Sequence, residues 1–562
     1  MDRQQIFHHL RQNPSISVLI IGAGINGIGT FRDLALQGID VLMVDKGDFC
    51  SGASAASSHM VHGGIRYLEN GEFRLVREAV QERNRLIENA PHYVNPLPTV
   101  IPIFKWFSGL FNAPLKFLGW LDKPSERGVV VIKAGLMMYD AYTREQGTVP
   151  RHEFRFKRES LGKYPYLNPE VICTARYYDG SMTSPERICI DLLRDGEAAS
   201  TQARALNYTS VKGASADTVI LNDQLNDDII KVQPKIVINA AGSWIDITNQ
   251  RMGYDTRMIG GTKGSHLILD HPQLRTAIQD NEFFFENNDG RIVLLFPLLD
   301  KVIVGTSDIP IDDPETARCT EEEVDYFLEM IRIVFPGITV DRSHIIYRFS
   351  GVRPLPASDA ARTGQISRDH RIEVLDPDEV VHFPIYNLIG GKWTSFRAFS
   401  EQATDKILAY LHQTRQISTR DLAIGGGRDY PYTEAAEQGW IDSISAKTGC
   451  EKERINILYK RYGTRAAEIA RATCGRDDAL LRNLPDYSRE EIKFIVREEK
   501  VLHLDDFLLR RSNLAKLGQV SRECMDEITD CIAEELNWSD QQKQKEIQRF
   551  HEILLDHHGV RI

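Results

Sequence analysis

Residues 18–45 read VLIIGAGINGIGTFRDLALQGIDVLMVD. Val18 to Ile21 is a short apolar run, the pattern of a strand buried on both faces. Gly22, Gly24 and Gly27 follow in GxGxxG order, and Ile28, Phe31 and Leu34 then recur at helical spacing. A second apolar run, Val41 to Val44, ends at Asp45, 18 residues after the third glycine. Each position has a physical task in binding a dinucleotide. Gly22 permits a tight turn, Gly24 lets the backbone approach a pyrophosphate, and Gly27 lets the helix pack on the strand. The helix N-terminus faces negative charge, and Asp45 can accept hydrogen bonds from a ribose hydroxyl.

The motif alone does not separate one dinucleotide from another. The stretch after it narrows the choice: KGDFCSGASAASSHMVHGGIRYLE, residues 46–69, is a small, hydroxyl-rich loop leading to His62-Gly63-Gly64. Small residues let a chain pass close to a bulky flat ring, and Ser54, Ser57 and Ser58 can donate to phosphates or ring oxygens. A plain serine-rich loop has the same composition.

Further out, three textures follow one another. Residues from about 16 to 270 alternate strands with helices; about 270 to 415 is strand-rich, with apolar runs at Ile292–Phe296 and Val302–Val304. Beyond Gly425-Gly426-Gly427 the pattern is mainly helical, and Ile492, Ile495, Val496, Phe507 and Leu508 predict a helical face within Arg489 to Arg511. The 562 residues suffice for two to four domains, and the net charge of −11 offers no general attraction for nucleic acid. None of the eight cysteines forms a CxxC pair or a zinc-type cluster, so buried free thiols in a reducing compartment and no metal are expected. No signal peptide and no transmembrane run is expected either.

With these stretches in place, the sequence resembles the FAD-dependent glycerol-3-phosphate dehydrogenases, within the D-amino-acid-oxidase-like flavoproteins. The resemblance rests on GAGINGIG (22–29), SSHMVHGGIRYLENGEFRLV (57–76), NAAGSWID (239–246) and TKGSHLIL (262–269). It continues through VGTSDIP (304–310), FSGVRPL (349–355), ISRDHRIEV (366–374), GGKWTSFR (390–397), RYGTRAAEIA (461–470) and FLLRRSNLAKLG (507–518). One departure stands out: position 59 is His59, where many members carry lysine.

The resemblance implies a Rossmann-type FAD-binding domain, a β-rich substrate-binding cap and a C-terminal helical domain, in the class α/β plus α. The body is expected over 1–415 and the helical domain over 420–562. FAD-binding parts at roughly 16–95, 185–260 and 345–415 alternate with cap parts at roughly 96–184 and 261–344. The implied reaction takes sn-glycerol 3-phosphate to dihydroxyacetone phosphate, with electrons passing through FAD to a membrane quinone or, in an oxidase branch, to oxygen. A related flavoprotein acting on amino or hydroxy acids, or a silent flavin-binding protein, is the alternative; retention of Arg66, His266, Arg353 and Lys392 together argues against silence.

Arginine suits a phosphate dianion because its planar fork makes paired, charge-assisted bonds. The resemblance puts Arg66, Arg353 and Arg368 at the substrate, with Tyr67 beside Arg66. His266 is the expected base. Lys263 and Lys392 are cations suited to a developing alkoxide or a reduced flavin. The Gly390-Gly391 turn, with Lys392 and Thr394, should open a helix aimed at the flavin. His62, Gly63, Ala241 and Gly242 are further cofactor positions, and Val211 is expected to flank the adenine. Ile236–Ile238, running into Ala240, reads as the last strand of the nucleotide domain.

Residues 97–123, LPTVIPIFKWFSGLFNAPLKFLGWLDK, are densely apolar with interleaved lysines. Such a segment suits the surface of a bilayer rather than a span across it. A peripheral enzyme on the cytoplasmic side of the inner membrane is therefore expected, and homodimer formation is left open.

Overall fold

The computed structural model describes residues 1–65, 72–105, 129–143, 149–286, 292–357, 369–474 and 478–562. Strand Ser15–Ile21 lies at the centre of a sheet, parallel to Val41–Val44 on one side and Ile229–Asn239 on the other. The order across this sheet is Arg371–Leu375, Ile385–Ile389, Ile229–Asn239, Ser15–Ile21, Val41–Val44, Ala203–Leu206. Val18 to Ile20 and Val41 to Val44 are fully enclosed, as their unbroken apolar character requires. Helices Pro185–Ala199 and Phe396–Tyr410 both pack on helix Ile25–Leu36 beside it. Ile229–Asn239 is not the last strand: Ile385–Ile389 follows it in the chain and pairs parallel beside it. The segment around Val211 folds as a hairpin, Thr209–Ser215 with Thr218–Asp223, which extends from Ile229–Asn239.

A second, larger sheet stands over the first. Its order is Ile309–Pro310, Thr262–Leu269, Lys301–Gly305, Ile292–Leu298, Glu282–Glu286, Val94–Ile103, Cys173–Met182, Met60–Val61. Strand Ile345–Arg353, grouped from sequence with the FAD-binding parts, also belongs here, paired along Thr262–Leu269. The expected lipid-facing segment is corrected in its first part. Residues 97–103 lie in strand Val94–Ile103, in register with Cys173–Met182, and Leu97, Val100 and Ile103 are buried. Residues 106–123 lie outside the described residues. Among the described residues, no helix is long and apolar enough to cross a membrane.

The tail, from Glu434 onward, is helical and shares one hydrophobic core with the larger sheet. Phe296, Ile303, Tyr347 and Phe349 pack in the same cluster as Phe507, Leu508, Ile528 and Phe550. The helix expected across Arg489 to Arg511 is interrupted. Arg489–Glu498 ends at Glu499, and the chain resumes at Leu504–Asp506 and a wide turn of π type, Phe507–Arg511. The break is fixed because the Asp506 carboxylate accepts from the backbone N–H groups of Leu502 and His503. The wide turn lets both arginines reach one acceptor: Arg510 and Arg511 donate to Asp48, in the loop after Asp45. All three side chains are buried. Burial opposes the charge on Asp48, but Arg511 and Arg510 outweigh it and hold the carboxyl well below its usual range. Six cysteines are buried free thiols as expected, whereas Cys450 and Cys474 are joined as a disulfide.

Removing one partner of a buried charge cluster strands the others. Asp48→Ala is therefore expected to destabilise the protein by about 3–5 kcal/mol, read as a lowered midpoint in thermal or urea unfolding. A change no larger than that of a surface substitution would contradict this account of the Asp48 cluster.

Candidate functional site

Between the two sheets lies a cavity of about 1400 Å³. Its floor is the glycine turn. Gly22 has φ +105°, and a Cβ on Gly27 would sit 1.9 Å from the Gly22 carbonyl oxygen. Only glycine allows the helix Ile25–Leu36 to begin this close to the strand. The Ala23 N–H donates to Asp45 Oδ2 at 2.6 Å, and the Ile25 N–H donates to Ser54 Oγ at 2.9 Å. Burial raises the Asp45 carboxyl to about 6, against the backbone donors of Ala23 and Gly47 that favour its charge. Gly22, Gly24, Asp45, Val211, Ala241 and Gly242 line this end. Gly27 does not; it packs helix on strand, the task its spacing implies.

The opposite wall comes from the larger sheet, and strand alternation decides which side chains reach it. In Thr262–Leu269, Gly264 and His266 face the cavity. Lys263 does not: its ammonium lies 2.8 Å from Glu323 and donates to the Arg318 carbonyl at 2.7 Å. The assignment of Lys263 to the substrate is thus corrected by a one-residue difference in a period-two pattern. Arg353 crosses the backbone of Gly264, where a Cβ would meet its guanidinium at 2.3 Å. It donates to Thr306 Oγ1 at 2.9 Å, to the Ser307 carbonyl at 3.2 Å and to Asp308 at 3.1 Å.

His266 stacks on Phe349 with 4.8 Å between ring centroids. Its Nε2 shares a 2.8 Å hydrogen bond with Ser58 Oγ, while Nδ1 has no hydrogen-bond partner among the described residues. Burial, and then repulsion from Arg353, lower His266 to about 3, so its ring is neutral. Ser54, Ser57, Ser58, His62, Gly391, Lys392 and Thr394 also line the cavity. Gly390 and Gly391 have φ of +75° and +94°, and the helix Phe396–Tyr410 opens after them as expected. Gly63 is corrected: it is absent from the wall, its N–H donating to Asp179 Oδ1 at 2.8 Å, and Gly64 lines the cavity instead. Arg66, Tyr67 and Arg368 lie outside the described residues.

Several lining residues were not singled out from sequence. Lys46 lies over the Trp244 ring at 4.5 Å, and the Trp244 indole donates to Glu315 at 2.8 Å. Glu282, enclosed and raised by burial to about 8, accepts from the Thr99 hydroxyl at 2.7 Å. The tail contributes Asp505, Arg510, Lys516 and His558. For Glu282 the alternation of the strand carried a signal; for the tail residues no local pattern did.

The glycine cradle, a buried acid at the end of the second strand and a long cleft lined by hydroxyls fit a dinucleotide with a large flat ring. Fold and site together define an FAD-dependent oxidoreductase. A family model described as FAD dependent oxidoreductase matches residues 17–383, and one described as the C-terminal domain of alpha-glycerophosphate oxidase matches 417–543. Among curated relatives, a glycerol-3-phosphate dehydrogenase of Synechocystis sp. is 30% identical over 97% of both chains. The aerobic glycerol-3-phosphate dehydrogenase of Bacillus subtilis is 27% identical over 96% of this chain and 94% of its own. The solved structure of the Bacillus halodurans glycerol-3-phosphate dehydrogenase with FAD superposes with a TM-score of 0.75 at 23% identity, over 99% of this chain and 97% of that one. The chain belongs to the FAD-dependent glycerol-3-phosphate dehydrogenase family, and its cofactor is FAD.

A ribose hydroxyl donates a stronger, charge-assisted hydrogen bond to an ionised Asp45 than to a protonated one. FAD affinity is expected to fall as pH drops below about 6, where the Asp45 carboxyl takes up its proton. Fluorescence titration of FAD between neutral and mildly acid pH checks this. In Asp45→Asn the affinity is expected to be weaker and that pH dependence absent.

Proposed function

We propose that this protein oxidises sn-glycerol 3-phosphate to dihydroxyacetone phosphate and passes the electrons to a membrane quinone. The observation that carries the reading is the likeness along the whole chain, tail included, to glycerol-3-phosphate dehydrogenases. In support, the wall of the cavity combines an arginine fork with a neutral, hydroxyl-linked histidine, the equipment for a small phosphorylated alcohol.

Bound FAD supplies a two-electron acceptor for the hydride of the carbinol carbon. The chain's own groups do the rest. Arg353 grips the phosphate, with Arg66 and Arg368 as its partners in this reading. Neutral His266, through Nε2 and the Ser58 hydroxyl, receives the hydroxyl proton. A weak base suffices, because the hydroxyl becomes a strongly acidic protonated carbonyl as the hydride leaves. Lys392 offsets negative charge accumulating at the cofactor. In this reading the aromatic stretch 106–123 meets lipid at the cytoplasmic face of the inner membrane, where a lipid-soluble quinone can be reached. A homodimer is compatible with this placement.

The test is an anaerobic mixture of the purified yellow protein with sn-glycerol 3-phosphate. Rapid bleaching of the flavin band near ~450 nm, restored by added quinone, is expected. No bleaching with flavin bound removes the substrate, and reoxidation by oxygen with stoichiometric peroxide but none by quinone removes the acceptor. Arg353→Ala should retain FAD yet raise the Michaelis constant by roughly tenfold or more, the effect of losing a charged hydrogen bond. Unchanged kinetics would take Arg353 out of the site.

A further inference from the structure

The loop from Asp45 to Val61 lines the cofactor cavity through Lys46, Ser51 to Ser58 and Met60, and contains almost no regular structure. Its shape must therefore be imposed from outside. Its start is held where Arg510 and Arg511 of the tail donate to Asp48. Its end is held at His59. This residue is fully buried in the left-handed region, φ +53°, an uncommon conformation for histidine. His59 Nδ1 lies 3.2 Å from the Met182 carbonyl, which fixes the proton on that nitrogen and leaves Nε2 as an acceptor. The donor to Nε2 is the Lys516 ammonium at 3.3 Å, 457 residues away in sequence. Lys516 also donates to Glu186, in the first turn of helix Pro185–Ala199. Lys516, Glu186 and His59 are all buried, and Lys516 and Glu186 themselves line the cavity. The residue before His59 is Ser58, whose hydroxyl is bonded to His266.

We propose that the helical tail is a working part of the flavin site, and that Lys516 is a positioning residue that acts through His59 on the Ser57–Ser58 turn. The tail grips the cofactor loop at both ends: two arginines on Asp48 set where the loop leaves the first sheet, and Lys516 on His59 sets where it enters the second. The inference rests on the flavin cavity and not on the identity of the substrate. In this role Lys516 acts through another residue: its ammonium pairs with Glu186 and orients the imidazole of the residue that follows Ser58. A lysine side chain at position 59 extends beyond the reach of histidine, toward the place of the Lys516 ammonium. A lysine at position 59 would carry the cation on the loop itself and hold that backbone through Glu186 in place of the imidazole.

The test uses full-length holoprotein in three forms: wild type, Lys516→Met, and the double variant His59→Lys/Lys516→Met. Visible-region circular dichroism of the bound flavin and the FAD dissociation constant are read alongside the melting temperature. Lys516→Met is expected to alter the flavin dichroism and weaken FAD by roughly tenfold, the scale of one buried charged hydrogen bond. The double variant is expected to restore both. Lys516→Met with wild-type dichroism and FAD affinity overturns the proposal, even if the melting temperature falls, since that is the signature of a purely structural pair. A loss that the double variant does not restore overturns it too, by assigning the effect to packing. Should Lys516→Met fail to accumulate, His59→Phe carries the same readout, because it removes the acceptor and keeps a ring. Altered flavin dichroism then supports the proposal, and an unaltered spectrum rejects it. None of these readouts requires glycerol 3-phosphate, so a wrong substrate and a wrong role for Lys516 fail separately.

Discussion

Asp48 carries a negative charge in the interior of the protein, and that charge is tolerable only because two arginines from near the end of the chain converge on it. Much of the architecture follows from that constraint. Both guanidinium groups can reach one carboxylate because the chain at Phe507–Arg511 widens into a turn of π type. The turn is fixed in place by the Asp506 carboxylate and by the apolar packing of Phe507 and Leu508 on the larger sheet. The same contact fixes the loop leaving strand Val41–Val44. First sheet, loop and tail thereby meet at one buried carboxylate. Their association does not rest on surface ion pairs, which contribute little.

The second organising feature is close approach at glycines, to backbone in one case and to a side chain in the other. Gly27 against the Gly22 carbonyl sets the floor of the cavity, and Gly264 beneath the Arg353 guanidinium does the same for its wall. In each case a methyl group would occupy the space that a neighbour fills. The result is a long cleft with polar groups at fixed heights and a neutral, desolvated histidine beside a cation. Such a cleft favours a flat, extended cofactor with an anionic ligand next to it. It also explains why His266 and Arg353 coexist at short range: the imidazole gives up its charge to burial and to the guanidinium.

The nucleotide-binding unit was legible because every layer of residues 18–45 agrees: apolar run, glycine spacing, helical periodicity and terminal acid. The Gly390-Gly391 turn was legible for the same reason. Lys263 was misread because both faces of Thr262–Leu269 are buried, so hydropathy does not say which alternate residues face the cavity. Gly63 and Gly64 could not be separated without knowing that Asp179 takes the N–H of the first. The rank of Ile229–Asn239 was misjudged because Ile385–Ile389 is short and lies beyond the whole cap in sequence. The contacts of Lys516, Arg510 and Arg511 with the cofactor loop had no local signature at all, since they join positions hundreds of residues apart. The tail could be recognised as helical from its pattern, but its part in the cavity emerges only from packing.

The central claim is that cofactor loop and tail form one cooperative unit around FAD. Amide hydrogen exchange, comparing FAD-loaded protein with protein stripped of FAD, tests it most directly. The account predicts that FAD slows exchange both in residues 46–64 and in residues 504–518, although the latter lie in the tail. Protection confined to the body, with exchange in 504–518 unchanged by FAD, would contradict it.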